Sequence, residues 1–168
     1  LGATPVILNN NNFARGAAGE PTLLSFDDVR TLFHEFGHGL HGLFYKGRYR
    51  GTAGTPRDFV ELPSQIMENW VMERGALDLF ARHYQTGETI PQDLFDRMVA
   101  ARNYLGASAF MRQLSFARID LEMHIRLDAW RGQDIDAVDR AILAEYRAAL
   151  KTDTPSMLRR FNHLFSSP

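Results

Sequence analysis

The sequence predicts a mainly α-helical protein with a small β element. Apolar residues recur at three- and four-residue spacing through most of the chain, and clusters of glycine and proline separate these helical segments. One short run with β-branched residues lies before the first of them. The chain has 168 residues, 45% of them hydrophobic and 23% charged, which is enough apolar content to form a globular core. We therefore expect a single domain over residues 1–168.

The predicted β element lies within residues 1–15. The apolar run Pro5-Val6-Ile7-Leu8 continues into four asparagines and Phe13, and this pattern favours a strand that ends in a turn. The segment from Val6 to Phe13 is also the candidate edge to which an extended peptide could be added as a further strand. An ordinary sheet strand followed by an asparagine loop explains the same residues.

The first helix is predicted from a cap at Ser25 to about Tyr45. Ser25 and Asp28 form an N-terminal capping pattern, and Gly47 ends the helix. Its apolar face consists of residues at helical spacing: Val29, Leu32, Phe33, Phe36, Leu40, Leu43 and Phe44. The following residues 46–57 contain three glycines and a proline, which predict a loop. Such a loop could close over a substrate, although ordinary surface flexibility explains its glycines as well.

Helices are predicted over most of the remaining chain. The second helix should begin near Asp58 and reach Arg74, with Pro63 tolerated only in or near the first turn. Five more segments with helical spacing follow, at about 76–85, 91–105, 107–131, 135–151 and 155–165. The sequence contains no internal repeat and no low-complexity linker.

The composition excludes several classes of partner. Nineteen Lys and Arg against twenty Asp and Glu give a formal charge of -1, so the sequence lacks the basic excess expected of a nucleic-acid-binding protein. No apolar run approaches the roughly 18 residues of a membrane span, and no basic stretch followed by an apolar stretch indicates a secretory signal. We expect a cytoplasmic protein, with a periplasmic location as the alternative. Because the chain has no cysteine, any metal ion must be held by histidine and carboxylate side chains.

The motif His-Glu-x-x-His at residues 34–38 predicts a metal site. On a helix, His34 and His38 lie about 6 Å apart along the axis and about 40° apart around it, so both imidazoles can bind one ion. Glu35 is turned about 100° from His34, where it can act on a metal-bound water without binding the metal itself. Two hydrogen-bonded histidines on a polar helix face are the alternative, but among these apolar neighbours uncompensated polar groups would be unfavourable.

A catalytic zinc ion usually has three protein ligands, so a third ligand must lie elsewhere in the sequence. His41 and Phe44 occupy the positions where a metzincin has glycine and histidine, which excludes that arrangement. His41 itself is on the same helix face, but three ligands on one straight helix would span about 10 Å. Glu61, near the start of the second helix, is the better candidate. Gln65 and Glu68 follow on its face, where they could hydrogen-bond a zinc-bound histidine or form a solvated polar face.

Several blocks of the sequence resemble the thimet-type zinc oligopeptidases of peptidase family M3. The blocks are Leu32-Phe33-His34-Glu35-Phe36-Gly37-His38-Gly39-Leu40-His41, Gly54-Thr55, Arg57-Asp58-Phe59-Val60-Glu61-Leu62-Pro63-Ser64-Gln65 and Glu68-Asn69-Trp70. They cover residues 22–74 closely. The resemblance implies a zincin-like metallopeptidase catalytic core in which His34, His38 and Glu61 bind Zn²⁺ and Glu35 is the catalytic base.

The resemblance also implies a substrate-binding role for His163. The segment Phe161-Asn162-His163-Leu164-Phe165 is similar to the family segment whose histidine binds substrate and which precedes a stretch rich in glycine and tyrosine. Here Ser166-Ser167-Pro168 stands where the family has glycines. We expect the chain to correspond to the catalytic core of a longer enzyme. Without the tyrosine donors its rate should be lower by about 100- to 1000-fold.

We therefore predict a zinc metallopeptidase that hydrolyses short oligopeptides as a peptidyl-dipeptidase, with Glu35 assisting attack by a zinc-bound water. Internal cleavage of oligopeptides, as in oligopeptidase A, is one alternative. A catalytically impaired helical binding module is another alternative. Such a module would need neither Glu35 nor Glu61, and the presence of both favours an enzyme. An aminopeptidase with the same motif should show an anchor for a free amino terminus, which we cannot identify. Exposed apolar residues and an unpaired strand edge predict self-association of this chain.

Overall fold

The computed structural model of the protein describes residues 6–49, 51–147 and 154–166. The described residues form eight α-helices and one 3₁₀-helix, which confirms the predicted mainly α-helical fold. They are α1 (Phe26–Leu43), α2 (Glu61–Met67), the 3₁₀-helix (Glu68–Met72), α3 (Arg74–Phe80), α4 (Gln92–Asn103), α5 (Gly106–Ile125), α6 (Leu127–Trp130), α7 (Ile135–Arg147) and α8 (His163–Ser166). By their contacts the residues group into two compact units, Leu1–Val99 and Ala100–Pro168. The single domain over residues 1–168 stays a prediction.

The predicted β element is not seen as a strand in the part of the chain that the structure describes. Residues 6–17 have no regular secondary structure. Among the described residues, β pairing is limited to an isolated bridge between Arg82 and Thr89. A strand is stable only when its backbone groups pair with a neighbour, and no described segment pairs with this one. Ile7 instead packs against α1 at Gly39 and Gly42, where the missing side chains leave room for it. The beginning of the predicted run lies outside the described residues.

Helix α1 begins at the predicted cap. The Asp28 backbone N–H donates to Ser25 Oγ at 3.1 Å, and the Ser25 backbone N–H donates to the Asp28 carboxylate at 2.9 Å. This reciprocal pair satisfies two backbone donors that the first turn of a helix leaves unpaired. The helix ends at Leu43, two residues before the predicted end.

The second predicted helix is divided into shorter pieces. Helix α2 begins at Glu61 instead of Asp58, which places Pro63 in the first turn, where its missing N–H is not needed. The chain then tightens into the 3₁₀-helix, and Glu73 has extended backbone angles that separate it from α3. The predicted helix over 76–85 correspondingly ends at Phe80.

Helices α1 and α2 touch at a glycine. A Cβ atom on Gly37 would lie 2.5 Å from both the carbonyl oxygen of Pro63 and the Cα of Ser64, a separation that atoms do not tolerate. Glycine at this position therefore lets the two helix backbones approach closely. Because Glu61 begins α2, this contact brings its side chain to the helix that carries the histidines.

Among the described residues of the first unit, three apolar residues outside α1 and α2 are buried. Val71, Leu77 and Phe95 are buried there, and the rings of Phe33 and Phe80 lie 5.6 Å apart between α1 and α3. These contacts support the helix pair from the side of α3.

The core of the second unit lies between α5 and α7. Its buried residues are Ile119, Val138, Ile142 and Leu143. The helix predicted over 107–131 is interrupted at Arg126, whose backbone leaves the helical region, so it appears as α5 and α6. Helix α7 is described to Arg147, and the last residues of its predicted range lie outside the described residues.

The segment predicted as a helix over 155–165 forms turns that lead into α8. Asp139, which is 1% exposed, accepts the backbone N–H groups of Met157 and Leu158 at 2.7 and 3.0 Å and pairs with Arg147 at 2.6 Å. Because these two backbone N–H groups donate to the buried carboxylate, they are not available for the hydrogen bonds of a regular helix. No helix in the described ranges is long and apolar enough to cross a membrane.

Candidate metal centre

Three side chains from α1 and α2 converge on one point. Glu61 Oε2 lies 3.0 Å from Nε2 of His34 and 3.3 Å from Nε2 of His38. One ligand atom of each residue lies within 4.8 Å of the other two. The four-residue spacing along α1 places both imidazoles on the same side, with ring centroids 5.1 Å apart.

This arrangement fits a tetrahedral metal ion. Two ligand atoms that are each about 2.1 Å from zinc lie about 3.4 Å apart at a tetrahedral angle. The two distances from Glu61 Oε2 are close to that value. Two nitrogens and one carboxylate oxygen also leave a fourth position open, as catalytic zinc sites do.

Glu68 orients one of the two imidazoles. Its Oε1 lies 2.7 Å from Nδ1 of His34, within hydrogen-bond distance. When His34 carries its proton on Nδ1, this N–H donates to the Glu68 carboxylate, and the Nε2 lone pair points towards Glu61. Arg30 Nε lies 3.9 Å from the other oxygen of Glu68. The tautomer that a metal ligand requires is therefore the one that this neighbour favours.

Glu61 is held as a carboxylate. Ser64 Oγ donates to its Oε2 at 2.7 Å, and this hydrogen bond is the main cause that lowers the pKa of Glu61 below the usual 4.5. Partial burial acts in the opposite direction, and the nearby His38 and His34 lower the pKa further. An ionised carboxylate is the form that binds metal ions.

Glu35 is half-buried on α1, next to the converging ligands. It lines a cavity of about 280 Å³ together with Arg30, Thr31, His34 and Glu68. Within the described part of the chain, no hydrogen-bond or ion-pair partner engages its carboxylate. This carboxylate, beside a predicted metal ligand, is placed to act as a base.

Gln65, a predicted neighbour of the histidines, and His41, which the sequence analysis set aside as a ligand, lie apart from this group. His41 Nδ1 is 3.5 Å from Thr55 Oγ1, and the His41 ring lies edge-on to Phe59 at 6.0 Å. Gln65 is exposed, and its amide has no hydrogen-bond partner in the ranges that the structure describes. The structure therefore brings Glu68 to His34, and it does not bring Gln65 or His41 to the ligands.

Sequence reasoning missed Gly37 and Ser64. Gly37 allows the helix contact, and Ser64 is fully buried and hydrogen-bonded to Glu61. A signal for Ser64 was present, because a residue three positions after Glu61 lies one helical turn away on the same side. The sequence carried no comparable signal for which face of α1 meets α2.

His163 belongs to the second unit, where it begins α8. Its ring centroid lies 5.7 Å from that of Phe161, which packs on Phe116 at 4.7 Å. Together with Arg112 and Arg160 these residues line a cavity of about 770 Å³. The role of His163 in substrate binding stays a prediction.

Comparisons with known proteins agree with one another. The sequence model described as Peptidase family M3 matches residues 2–167. The chain is 41% identical over 165 residues to the proteins named oligopeptidase A in Escherichia coli strain K12 and in Salmonella typhimurium strain LT2. It is 43% identical over 169 residues to the protein named dipeptidyl carboxypeptidase in Escherichia coli strain K12. Each alignment covers 96% of this chain and 24% of the relative, so the chain spans about a quarter of the length of these curated relatives.

Proposed function

The chain belongs to peptidase family M3, as the resemblance predicts, and we propose that the protein is a zinc metallopeptidase that hydrolyses short oligopeptides. The observation that carries the proposal is the convergence of His34, His38 and Glu61 beside the carboxylate of Glu35. The names of the relatives, oligopeptidase A and dipeptidyl carboxypeptidase, support peptide hydrolysis. Because the chain spans a quarter of their length, the activity of the whole protein is part of the proposal.

Zinc is the proposed metal because two imidazoles and one carboxylate with an open fourth position are typical of catalytic zinc. His34, His38 and Glu61 would hold it, with Glu68 orienting one of these ligands. When bound, zinc supplies Lewis-acid polarisation of a carbonyl and lowers the pKa of a bound water to about 7.

Glu35 is the proposed general base. Its carboxylate would accept a proton from the attacking water as the new C–O bond forms at the peptide carbonyl. It would then pass that proton to the amine nitrogen as the C–N bond breaks, which returns the carboxylate to its starting state. The open cavity around Glu35 leaves space for the water beside His34.

We propose that products are dipeptides released from the carboxyl end of the substrate. The similarity to a dipeptidyl carboxypeptidase supports this product type. Internal cleavage is the second candidate, because the identity to oligopeptidase A is nearly the same.

The proposal is tested by metal analysis and a product map. Elemental analysis of the purified protein should find one zinc per chain, and both His34→Ala and Glu61→Ala should lose it. His83→Ala, at a histidine outside the converging group, is the matched control and should keep the metal. Zinc content that survives both ligand substitutions would contradict the proposed ligand set. Mass spectrometry of the products from one oligopeptide should show dipeptides, and internal fragments would favour the second candidate.

A further inference from the structure

We propose that Ser64 is a positioning residue of the metal centre, whose hydroxyl holds Glu61 Oε2 at the place where that oxygen meets both histidines. The inference rests on the proposed function, since it assumes that His34, His38 and Glu61 bind a metal ion. It concerns a residue that neither the motif nor the predicted neighbours of the histidines include.

The Ser64 hydroxyl and both histidines contact the same carboxylate oxygen, Oε2 of Glu61. Ser64 Oγ lies 2.7 Å from Glu61 Oε2, and that same oxygen lies 3.0 and 3.3 Å from the Nε2 atoms of His34 and His38. Ser64 Oγ is also 2.9 Å from the backbone carbonyl oxygen of Glu61, one turn earlier in α2. The hydroxyl therefore lies between a fixed backbone atom and the carboxylate oxygen that faces the histidines.

Ser64 and Glu61 differ in how deeply they are buried. Ser64 is fully buried, whereas the side chain of Glu61 is 50% exposed. A half-exposed glutamate in the first turn of a helix keeps much of its rotamer freedom, and fixing it costs entropy on metal binding. A hydrogen bond from a buried, immobile hydroxyl lowers that entropy loss, because the ligand is already in place before the ion arrives.

The burial of Ser64 comes from the helix that carries the histidines. Gly37 faces Ser64 so closely that a Cβ on the glycine would lie 2.5 Å from the serine Cα. Gly37 immediately precedes His38 on α1. The contact that sets the distance between α1 and α2 therefore also immobilises the residue that holds Glu61.

The test is Ser64→Ala in the full chain. Zinc affinity, measured by competition with a chromophoric chelator, should fall by about 10- to 100-fold, as is typical when a residue that orients a metal ligand is removed. The visible spectrum of the Co²⁺-loaded protein should change as well, because the ligand geometry changes. The matched control is Ser115→Ala in the second unit, since Ser115 is also buried and donates to the carbonyl three residues earlier, that of Arg112, at 2.6 Å. Ser115→Ala should leave zinc affinity and the Co²⁺ spectrum unchanged.

A double-mutant cycle separates positioning from a general effect on the fold. In the Glu61→Ala background, Ser64→Ala should not weaken metal binding further. Cu²⁺ is the probe for all four proteins of the cycle, because it binds imidazole sites more tightly than Zn²⁺ and keeps the weakened site measurable. Circular dichroism of the metal-free variants monitors their helix content. An equal loss of Cu²⁺ affinity with and without Glu61 would overturn the inference.

The outcomes also distinguish this inference from the proposed function. If the unsubstituted protein bound no zinc, the proposed function would fail first. If it bound zinc and Ser64→Ala bound zinc equally well with an unchanged Co²⁺ spectrum, only the role of Ser64 would be wrong.

Discussion

Two carboxylates near the histidines have different surroundings, and the difference suits them to different tasks. Glu61 accepts a hydrogen bond from Ser64 and lies beside both histidines, so its pKa is lowered and it stays ionised. Glu35 has no such partner within the described residues and lines an open cavity. A carboxylate that is held in place suits a metal ligand, and one that is free suits a proton acceptor.

Glu35→Gln should therefore keep zinc and lose most of the peptidase activity. The amide fills the same space but cannot accept a proton, and general-base catalysis commonly contributes about 100- to 10,000-fold to the rate. Elemental analysis and kcat/KM on one oligopeptide measure the two effects. Glu20→Gln, at an exposed glutamate, is the control and should match the unsubstituted protein. A rate close to the original in Glu35→Gln would mean that another group accepts the proton.

The contact between α1 and α2 depends on one glycine at its centre. In Gly37→Ala the new methyl group would meet backbone atoms of Pro63 and Ser64, which cannot rotate away as a side chain could. The helices must move apart, so we expect the free energy of unfolding to fall by about 1–3 kcal/mol. Zinc affinity should fall with it, because Glu61 moves away from the histidines. Urea unfolding and chelator competition measure these changes.

Gly75→Ala is the matched control for this substitution. Gly75 also lies within a helix, α3, but a Cβ there would meet nothing within 4 Å. Alanine should stabilise that helix by up to about 1 kcal/mol, because it has the higher helix propensity. If Gly37→Ala were tolerated as well as Gly75→Ala, the close approach of α1 and α2 would not be needed.

In the second unit, an ion pair joins α7 to the turns before α8. Arg159 donates to both carboxylate oxygens of Asp136, at 2.7 and 2.9 Å, and this hydrogen bonding is the main cause that lowers the pKa of Asp136 below the usual 3.8. Because the folded-state pKa is the lower one, the stabilising contribution is complete above the unfolded-state value. It is lost as the pH falls through the folded-state pKa, below 3.8.

The stability difference between the unsubstituted protein and Asp136→Asn should therefore be constant near neutral pH and shrink below pH 3.8. The side chains of Arg159 and Asp136 are 56% and 39% exposed, so solvent screens the pair and the difference should be small at every pH. Urea unfolding midpoints of the two proteins, measured from pH 7 to acid conditions, follow it. A difference that persisted unchanged well below pH 3.8 would show that Asp136 does not act through this pair.

Many large apolar side chains are exposed in both units. Examples in the first unit are Phe44 and Tyr49, which are 72% and 76% exposed, and Phe165 in the second unit is 84% exposed. Contiguous exposed apolar surface favours association between copies. We expect self-association in solution, and sedimentation velocity at rising concentration should show a mean mass above the 19.1 kDa of one chain.

Polar substitution of the exposed aromatic residues tests the cause of this association. The double substitution Phe44→Ser and Tyr49→Ser should shift the equilibrium towards the single chain, because it removes apolar surface without touching the core. An unsubstituted protein that stayed at 19.1 kDa at every concentration would contradict the expected self-association.

Features that depend on neighbours a few residues away follow from the sequence alone. The capping pair of Ser25 and Asp28 starts α1, and helix geometry places His34 and His38 on one side of it. These features need only the local backbone, so spacing and residue type were sufficient to predict them. The same holds for the mainly helical fold, which follows from three- and four-residue periodicity.

Features that depend on contacts between separate segments of the chain follow from packing instead. The strand predicted near Val6 required a partner that no described segment provides, and the turns before α8 form where Asp139 accepts backbone donors from a distant part of the chain. The sequence also made Gln65 and Glu68 candidates on the helix face of Glu61, without deciding whether either would reach a histidine, and Glu68 does so. The close approach of α1 and α2 at Gly37 brings the side chains of α2 to the histidines. Packing between the two backbones sets this distance, and the periodicity within either helix carries no information about it.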